Sequence, residues 1–514
     1  MAPSNPTAAR SRLLLPVVLL LLAVGLRFPG IGNPPLDIHH VRQSDTASIA
    51  RVMTREGIDV LRPRIGWAGP DAGTVESELP LYAAATAAGW QAAARLTPDR
   101  PMPYAWPRLV SALGWLLGGF ALAAWVRRRI AGPVWPSLVL YGLSPLAVVF
   151  SRNIQPDALA IGFMLLALER SDRAGEGGGV LAALSGGLLA GVAVACKPQL
   201  FLLWPLVPAL LVARSSGPPA PVVIASSAVA ALLPAAWVWH AHVHLGVDGA
   251  TFGVLGAGAN KWGGPALWFD PTTWRAIGGT LLMHAATPAG LFLAGLGVAA
   301  ARTRAEFRPF VLGFALLGAG FLVLTAGYRL HNYYQLAGVP FLSVLAAAGW
   351  QQLQERLEGR QRVIASAGVG LLVAASAAAG FVFVQGALAI DERIELQALS
   401  VGAVVPPGKA VAVVDRHPQS VLYAMDRRGF HRTTLTLGEL VELESYGAEY
   451  LALSTTSEAI LDPGFLLQLK DSRRLEAVAG DWMLFRLGAA TQPAPAGDDD
   501  DSARAADDDD SAQR

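Results

Sequence analysis

The sequence predicts a polytopic α-helical membrane protein with about eleven transmembrane helices, external juxtamembrane helices and a small C-terminal α/β domain. Composition is the first reason. Of 514 residues, 53% are hydrophobic and only 15% charged, with a mean hydropathy of +0.42; a soluble chain carries about 25% charged residues. The second reason is that apolar segments recur at lengths near the roughly 20 residues that cross a bilayer. The third is that arginine clusters fall at alternate ends of these segments, as short cytoplasmic connections require. Net charge is +1, which gives no case for a nucleic-acid partner. The single cysteine, Cys196, excludes an intrachain disulfide and zinc–thiolate chemistry.

The first apolar run follows Arg10 and Arg12 and ends in Arg27-Phe28-Pro29-Gly30. No small-x-small cleavage site follows it, so it reads as a retained helix over 13–29 rather than a signal peptide. Further spans are predicted over 105–126, 133–151, 157–170, 180–196, 199–213, 221–240, 285–301, 309–327, 335–350 and 363–386. With the N-terminus inside, Arg127–Arg129, Arg170 and Arg173, Arg214, Arg302 to Arg308 and Arg356 to Arg362 all face the cytoplasm. Counting the Ala-rich stretch Leu79–Leu96 as a span would reverse every later face. Its Gln91 and Arg95 suit a helix lying in the interface instead.

Three pieces then lie outside the membrane: a first loop over about 30–104, a second over about 241–284, and the chain after about 390. The last alternates strand-like runs (Ala410–Val414, Tyr450–Leu453, Trp482–Arg486) with helical patterns (Ser420–Asp426, Leu437–Tyr446, Phe465–Lys470), the signature of a small α/β domain. The expected division is a membrane module over 1–389, an external domain over 390–488 and an acidic, disordered tail over 489–514.

Charge concentrates at the external span ends, where a membrane protein builds sites. His39-His40-Val41-Arg42-Gln43-Ser44-Asp45-Thr46 opens a helical pattern, and Asp45 reads either as its N-cap or as a functional carboxylate. Glu76-Ser77-Glu78-Leu79-Pro80 reads either as acidic residues complementing a helix start or as a site element. Ser151-Arg152-Asn153-Ile154-Gln155-Pro156-Asp157 forms a tight external turn, with Asp157 either capping the next span or facing a cavity. Lys197, before Pro198, either snorkels to the interface or meets an anion. The second loop carries His240, His242, His244 and His284; the first three look like a metal cluster, but alternate residues at a helix end do not share a face, which favours an interfacial role. Tyr328-Arg329-Leu330-His331-Asn332-Tyr333-Tyr334 precedes a late span, its tyrosines suiting either an aromatic belt or a site.

In joint order and spacing over about residues 10–350, these motifs resemble the GT-C glycosyltransferases, within them the protein O-mannosyltransferase and lipid A aminoarabinose-transferase superfamily. The resemblance implies a GT-C bundle and transfer of a hexose or pentose from a polyprenyl-phosphate donor to a glycan, lipid or protein acceptor, by inverting displacement at the external face of the plasma (inner) membrane. It implies Asp45 as the acceptor's base, with Glu78 and Asp157 as further catalytic carboxylates. It implies Arg42, Lys197, Arg329, His331, Tyr333 and Tyr334 around the donor phosphate, and a divalent metal held by Glu78 and His284. This sequence departs from the family in two places. Aligned on Ile49-Ala50-Arg51, the family's Asp-Glu pair falls on Arg42-Gln43, with Asp45 about one turn away. Glu78-Leu79-Pro80 replaces the family's Glu-Lys-Pro, so the phosphate's cation comes from elsewhere, with Arg42, Arg62, Arg64 and Lys197 as candidates. A transporter or lipid flippase, or an inactive glycan-binding relative, are the alternative readings.

Overall fold

The computed structural model describes residues 6–98, 102–130, 133–245, 261–457 and 463–488. The expected acidic tail and residues 246–260 of the second loop lie outside the described residues. The chain opens with α1 (Pro6–Gly25) and the first loop, which holds α2 (His40–Glu56), the two-residue strands β1 (Arg64–Ile65), β2 (Ala68–Gly69) and β3 (Gly73–Thr74), and α3 (Leu81–Leu96). The bundle continues with α4 (Ala105–Arg129), α5 (Trp135–Leu143), α6 (Pro145–Phe150), α7 (Asp157–Arg173), α8 (Val180–Cys196), α9 (Leu206–Val212) and α10 (Ala220–His244). After the second loop come α11 (Pro265–Trp268), α12 (Pro271–Thr280), α13 (Thr287–Ala300), α14 (Arg308–Val323), α15 (Thr325–Leu330), α16 (Val339–Arg356) and α17 (Gly359–Ala387).

Every segment predicted to cross is helical, but not all as single long helices. Five helices among the described residues are long and apolar enough to span, or six if the pair bent by 93° at Ala286 is one span. The remainder are shorter or broken, and proline accounts for two of the breaks. Pro145 divides α5 from α6, and Pro205 ends a 3₁₀ turn (Pro198–Leu203) before α9. The chain is a multi-pass membrane protein. Its helices approach closely where side chains are absent, as lipid-embedded packing favours. Between α4 and α7, a Cβ on Gly114 would lie 2.5 Å from the Leu159 Cα, and one on Gly162 would fall onto the Gly114 carbonyl. At one end of the bundle the arginines converge. Arg128 pairs with Glu169, Asp172 (3.1 Å) and Glu176 (3.5 Å), and Arg214 pairs with Glu176 at 2.7 Å.

The C-terminal segment adds α18 (Leu399–Val404), β4 (Ala410–Val414), α19 (Pro418–Ala424), β5 (Arg428–Arg432), α20 (Leu437–Ser445), β6 (Tyr450–Ser454), α21 (Pro463–Ser472), β7 (Arg474–Ala479) and β8 (Trp482–Arg486). Its sheet runs β2-β5-β4-β6-β8-β7, with β4 parallel to β5 and β6 and the other pairs antiparallel. β4 is buried on both faces, as parallel strands are. Val411 and Val413 belong to a buried cluster with Val421, Leu422 and Met425 around α19 that continues to Ile49, Met53 and Trp90 of the first loop, while Ala412 and Val414 face α20 and α21. The domain meets α2 through α19, and the sheet's first edge strand, β2, comes from the first loop itself.

Candidate functional site

A cavity of about 890 Å³ opens where the first loop, the ends of α8 and α10, the segment before α16 and the C-terminal domain meet. One wall is apolar: Ala231, Pro234, Ala235, Val238 and Trp239 of α10, with Val194, Phe201 and Leu324. The lining also carries His39, His40, Arg42, Asp45, Glu78, Lys197, Lys261, His331, Tyr333, Tyr334 and His417. The lining is amphiphilic, combining ionic groups of the first loop, the end of α8 and the segment before α16 with an apolar surface on α10.

The ionic groups are placed by the start of α2, the strap before α3, the end of α8 and the start of α7. His39 holds left-handed backbone dihedrals (φ 54°) and starts α2 at His40; its Nε2 lies 2.9 Å from Asn332 Oδ1 and its ring meets Tyr333 edge-on. Asp45 therefore sits in the second turn and is not the N-cap that the sequence allowed. Instead it is buried, 2% exposed, and accepts a 2.7 Å hydrogen bond from Trp67 Nε1. Glu78 lies on an extended strap before α3. Trp237 Nε1 donates to Ser77 O at 2.9 Å and Leu79 N to Ala195 O at 2.9 Å, docking the strap between α8 and α10. Lys197 ends α8 in extended geometry because Pro198 follows. Asp157 opens α7, where a carboxylate complements the helix dipole.

Opposite charges meet inside the site. Arg42 pairs with Glu78, and Lys197 Nζ lies 3.0 Å from Asp157 Oδ2, with the Tyr333 and Tyr334 ring centroids at 5.0 and 5.5 Å. Burial works against the Arg42 charge, yet Glu78, Asp157 and Asp45 hold its pKa above the ordinary value. Burial would raise the Glu78 carboxyl, but Arg42 and Lys197 hold it below its usual range. Lys261 is pushed down to about 8, by burial first and then, against the pull of Glu78, by Arg42 and Lys197. Three cations thus share one electrostatic neighbourhood. Burial and neighbouring positive groups push His331 down to about 3, and burial with His417 pushes His40 down to about 4, so both imidazoles are neutral near pH 7.

The structure brings together seven of the residues singled out from the sequence along the cavity wall: Arg42, Asp45, Glu78, Lys197, His331, Tyr333 and Tyr334. Asp157 joins them through Lys197. Two of the expected residues lie outside the lining. Arg329 is outside the lining and pairs with Asp270 at 3.3 Å, because α15 turns it toward α12. His284 is also outside; it stacks on Phe383 of α17 at 3.8 Å between ring centroids. Glu78 and His284 thus do not form one ligand set, and the described residues contain no group of three or more His, Cys, Asp or Glu able to hold a metal ion. Arg62 and Arg64 do not line the cavity either; Arg64 pairs with Glu56. His242 meets Glu76 at 3.4 Å, while His240 bonds the Leu61 carbonyl. Sequence reasoning did not single out His39, His40, Lys261, Trp67 or His417 as site residues. Their signal is tertiary, since His417 comes from the domain after α17: His40 Nδ1 lies 2.8 Å from Ser420 Oγ, and its ring packs edge-on against His417 at 4.6 Å.

No protein-family model and no curated protein matches this chain. Solved structures do. ArnT from Cupriavidus metallidurans in the apo state aligns with a TM-score of 0.60 at 15% identity, over 91% of this chain and 97% of that one. The same protein bound to undecaprenyl phosphate aligns with a TM-score of 0.56 at 14% identity, over 93% and 99%. The Archaeoglobus fulgidus oligosaccharyltransferase in complex with Zn and sulfate aligns with a TM-score of 0.55 at 12% identity, over 89% and 71%. At such identities the likeness speaks for architecture: the chain has the GT-C fold.

Proposed function

We propose that this GT-C-fold membrane protein is a glycosyltransferase that moves a sugar from a polyprenyl-phosphate donor to an acceptor at the external membrane face. The observation that carries the reading is the amphiphilic cavity, which offers Arg42, Lys197 and Lys261 beside an apolar wall on α10. A polyprenyl phosphate has the same division, an anionic head on a hydrocarbon tail. The neighbour described as bound to undecaprenyl phosphate supports this donor class.

In the proposed reaction, Asp45 accepts the proton of the acceptor hydroxyl as its oxygen attacks the anomeric carbon from the face opposite the phosphate. The bond between that carbon and the phosphate oxygen breaks, its electron pair stays on the phosphate, and configuration inverts. Arg42, Lys197 and Lys261 stabilise the developing phosphate charge in a partly water-excluded site, where such contacts weigh most. Asp157 and Glu78 hold Lys197 and Arg42 in place. Tyr333 and Tyr334 present their rings to Lys197, and His331, neutral near pH 7, is a hydrogen-bonding rather than a charge-bearing neighbour of the phosphate. The metal expectation has no ligand set built from Glu78 and His284 to rest on.

The test is transfer from a radiolabelled polyprenyl-phosphate sugar in membranes, wild type beside Asp45→Asn. Asparagine preserves size but cannot take the proton, so turnover should fall about 10²–10⁴-fold. Donor binding should persist. Near-normal turnover in the variant would remove Asp45 from the chemistry, and translocation of the donor without transfer would favour a flippase.

A further inference from the structure

Asp45 is not held by its own helix alone. Trp67 Nε1 donates to Asp45 Oδ1 at 2.7 Å, and both residues are buried. Trp67 lies between β1 and β2, and β2 belongs to the C-terminal sheet: Ala68 faces Phe430 and Gly69 faces Gly429 across the antiparallel pair. Gly429 N donates to Gly66 O at 3.1 Å, one residue before Trp67. The Trp67 ring rests against His431 of β5, 4.5 Å between centroids. On the other side, Gly66 N donates to Ser48 Oγ at 3.0 Å, about one turn beyond Asp45 on α2. The indole is thus fixed from two directions, by the edge of the C-terminal sheet and by α2, while its only polar atom is committed to Asp45.

We infer that Trp67 is a positioning residue for Asp45, and that the C-terminal domain acts on the transfer step through it by adding β2 to its sheet. A hydrogen bond to one carboxylate oxygen fixes the rotamer of the group and so the direction in which it can accept a proton. This inference rests on the reading of Asp45 as the acceptor's base. It assigns the C-terminal domain a part in catalysis that does not require it to touch the donor.

The experiment is a double-mutant cycle on the full-length protein in membranes, with turnover and KM measured for a polyprenyl-phosphate sugar. Trp67→Phe keeps the ring and removes the N–H. It should lower kcat by about ten- to a hundredfold, the usual weight of a hydrogen bond to a charged group, and leave the donor KM unchanged. In the Asp45→Asn background the same change should have no further effect, because a residue that works only through Asp45 has nothing left to position. Wild-type kcat in Trp67→Phe, or a full additional loss on top of Asp45→Asn, overturns the inference. The two failures are distinguishable: an inactive Asp45→Asn beside a normal Trp67→Phe refutes the positioning role alone, whereas an active Asp45→Asn refutes the base itself. If Trp67→Phe does not fold, His431→Leu withdraws the ring behind Trp67 without touching α2. It should lower kcat several-fold in the wild-type background and not at all in Asp45→Asn. An unchanged kcat there refutes the link to the C-terminal sheet.

Discussion

At the scale of residues, the cavity is a set of charges whose behaviour depends on one another. Lys261 shows this best, because burial and the adjacent Arg42 and Lys197 bring its ammonium down to about 8. It is charged below that pH and neutral above it. Affinity for a polyprenyl phosphate should therefore weaken as pH rises through about 8, and the bound anion will hold the proton somewhat beyond that point. Lys261→Arg keeps a charge at all working pH values and should flatten the profile between about pH 7 and 9. Binding titrations across that range decide; an equally steep loss in the arginine variant would place the titrating group elsewhere. Arg329 and His284 teach the opposite lesson. Both carried the right chemistry at the right place in the order of motifs, yet a neighbouring helix claims each, through Asp270 and Phe383.

At the scale of elements, the apolar segments were legible because hydrophobic runs and arginine flanks are local signals. β4, β6 and β8 were legible for a similar reason: each is a short apolar run bounded by turn residues. β5 reads Arg-Gly-Phe-His-Arg, β2 is two residues long and β7 mixes charge with alanine; pairing, not pattern, makes these strands. Helix contacts were also invisible in the sequence. Gly162 matters only because α7 approaches α4 at Gly114. Gly162→Ala should lower stability by about 1–3 kcal/mol through overpacking, seen as a lower melting temperature in detergent. Gly368→Ala on α17, where an added Cβ meets nothing within 4 Å, is the matched control and should be neutral or slightly stabilising. Equal effects at the two sites would argue that propensity, not packing, governs both.

At the scale of the whole molecule, the arginine-rich ends of α4 and of the chain segments after α7 and α9 gather at one end of the bundle. The cavity is built from other helix ends, among them the start of α7 and the end of α8. We expect the arginine end to face the cytoplasm, because short Lys- and Arg-rich connections are retained there. Arg95 on α3 and Arg302 after α13 are both exposed, and the single native cysteine, Cys196, is buried. In intact cells a membrane-impermeant maleimide should label Arg95→Cys and leave Arg302→Cys unreacted until the membrane is opened. The reverse pattern would put the cavity on the inner face and exclude an external reaction. Arg42, Lys197 and Lys261 all precede the C-terminal domain, but His417, the His40–Ser420 contact and the Trp67 strand tie that domain to the cavity.

The sequence by itself determined what one-dimensional patterns can carry: a membrane-embedded helical bundle, the order of its charged motifs, the α/β character of its C-terminus, and most of the ionic residues at the cavity. These follow from hydrophobic length, charge position and the cost of placing charge in lipid, which act on short windows of chain. Only the tertiary structure decided which charges meet. Arg42 with Glu78, Lys197 with Asp157 and Trp67 with Asp45 are separated by 36, 40 and 22 positions in the chain, and no local preference selects one such pairing over another. The selection comes from packing: α2 lies between α3 and α19 of the C-terminal domain, and only side chains brought into that shared space can compensate one another's burial.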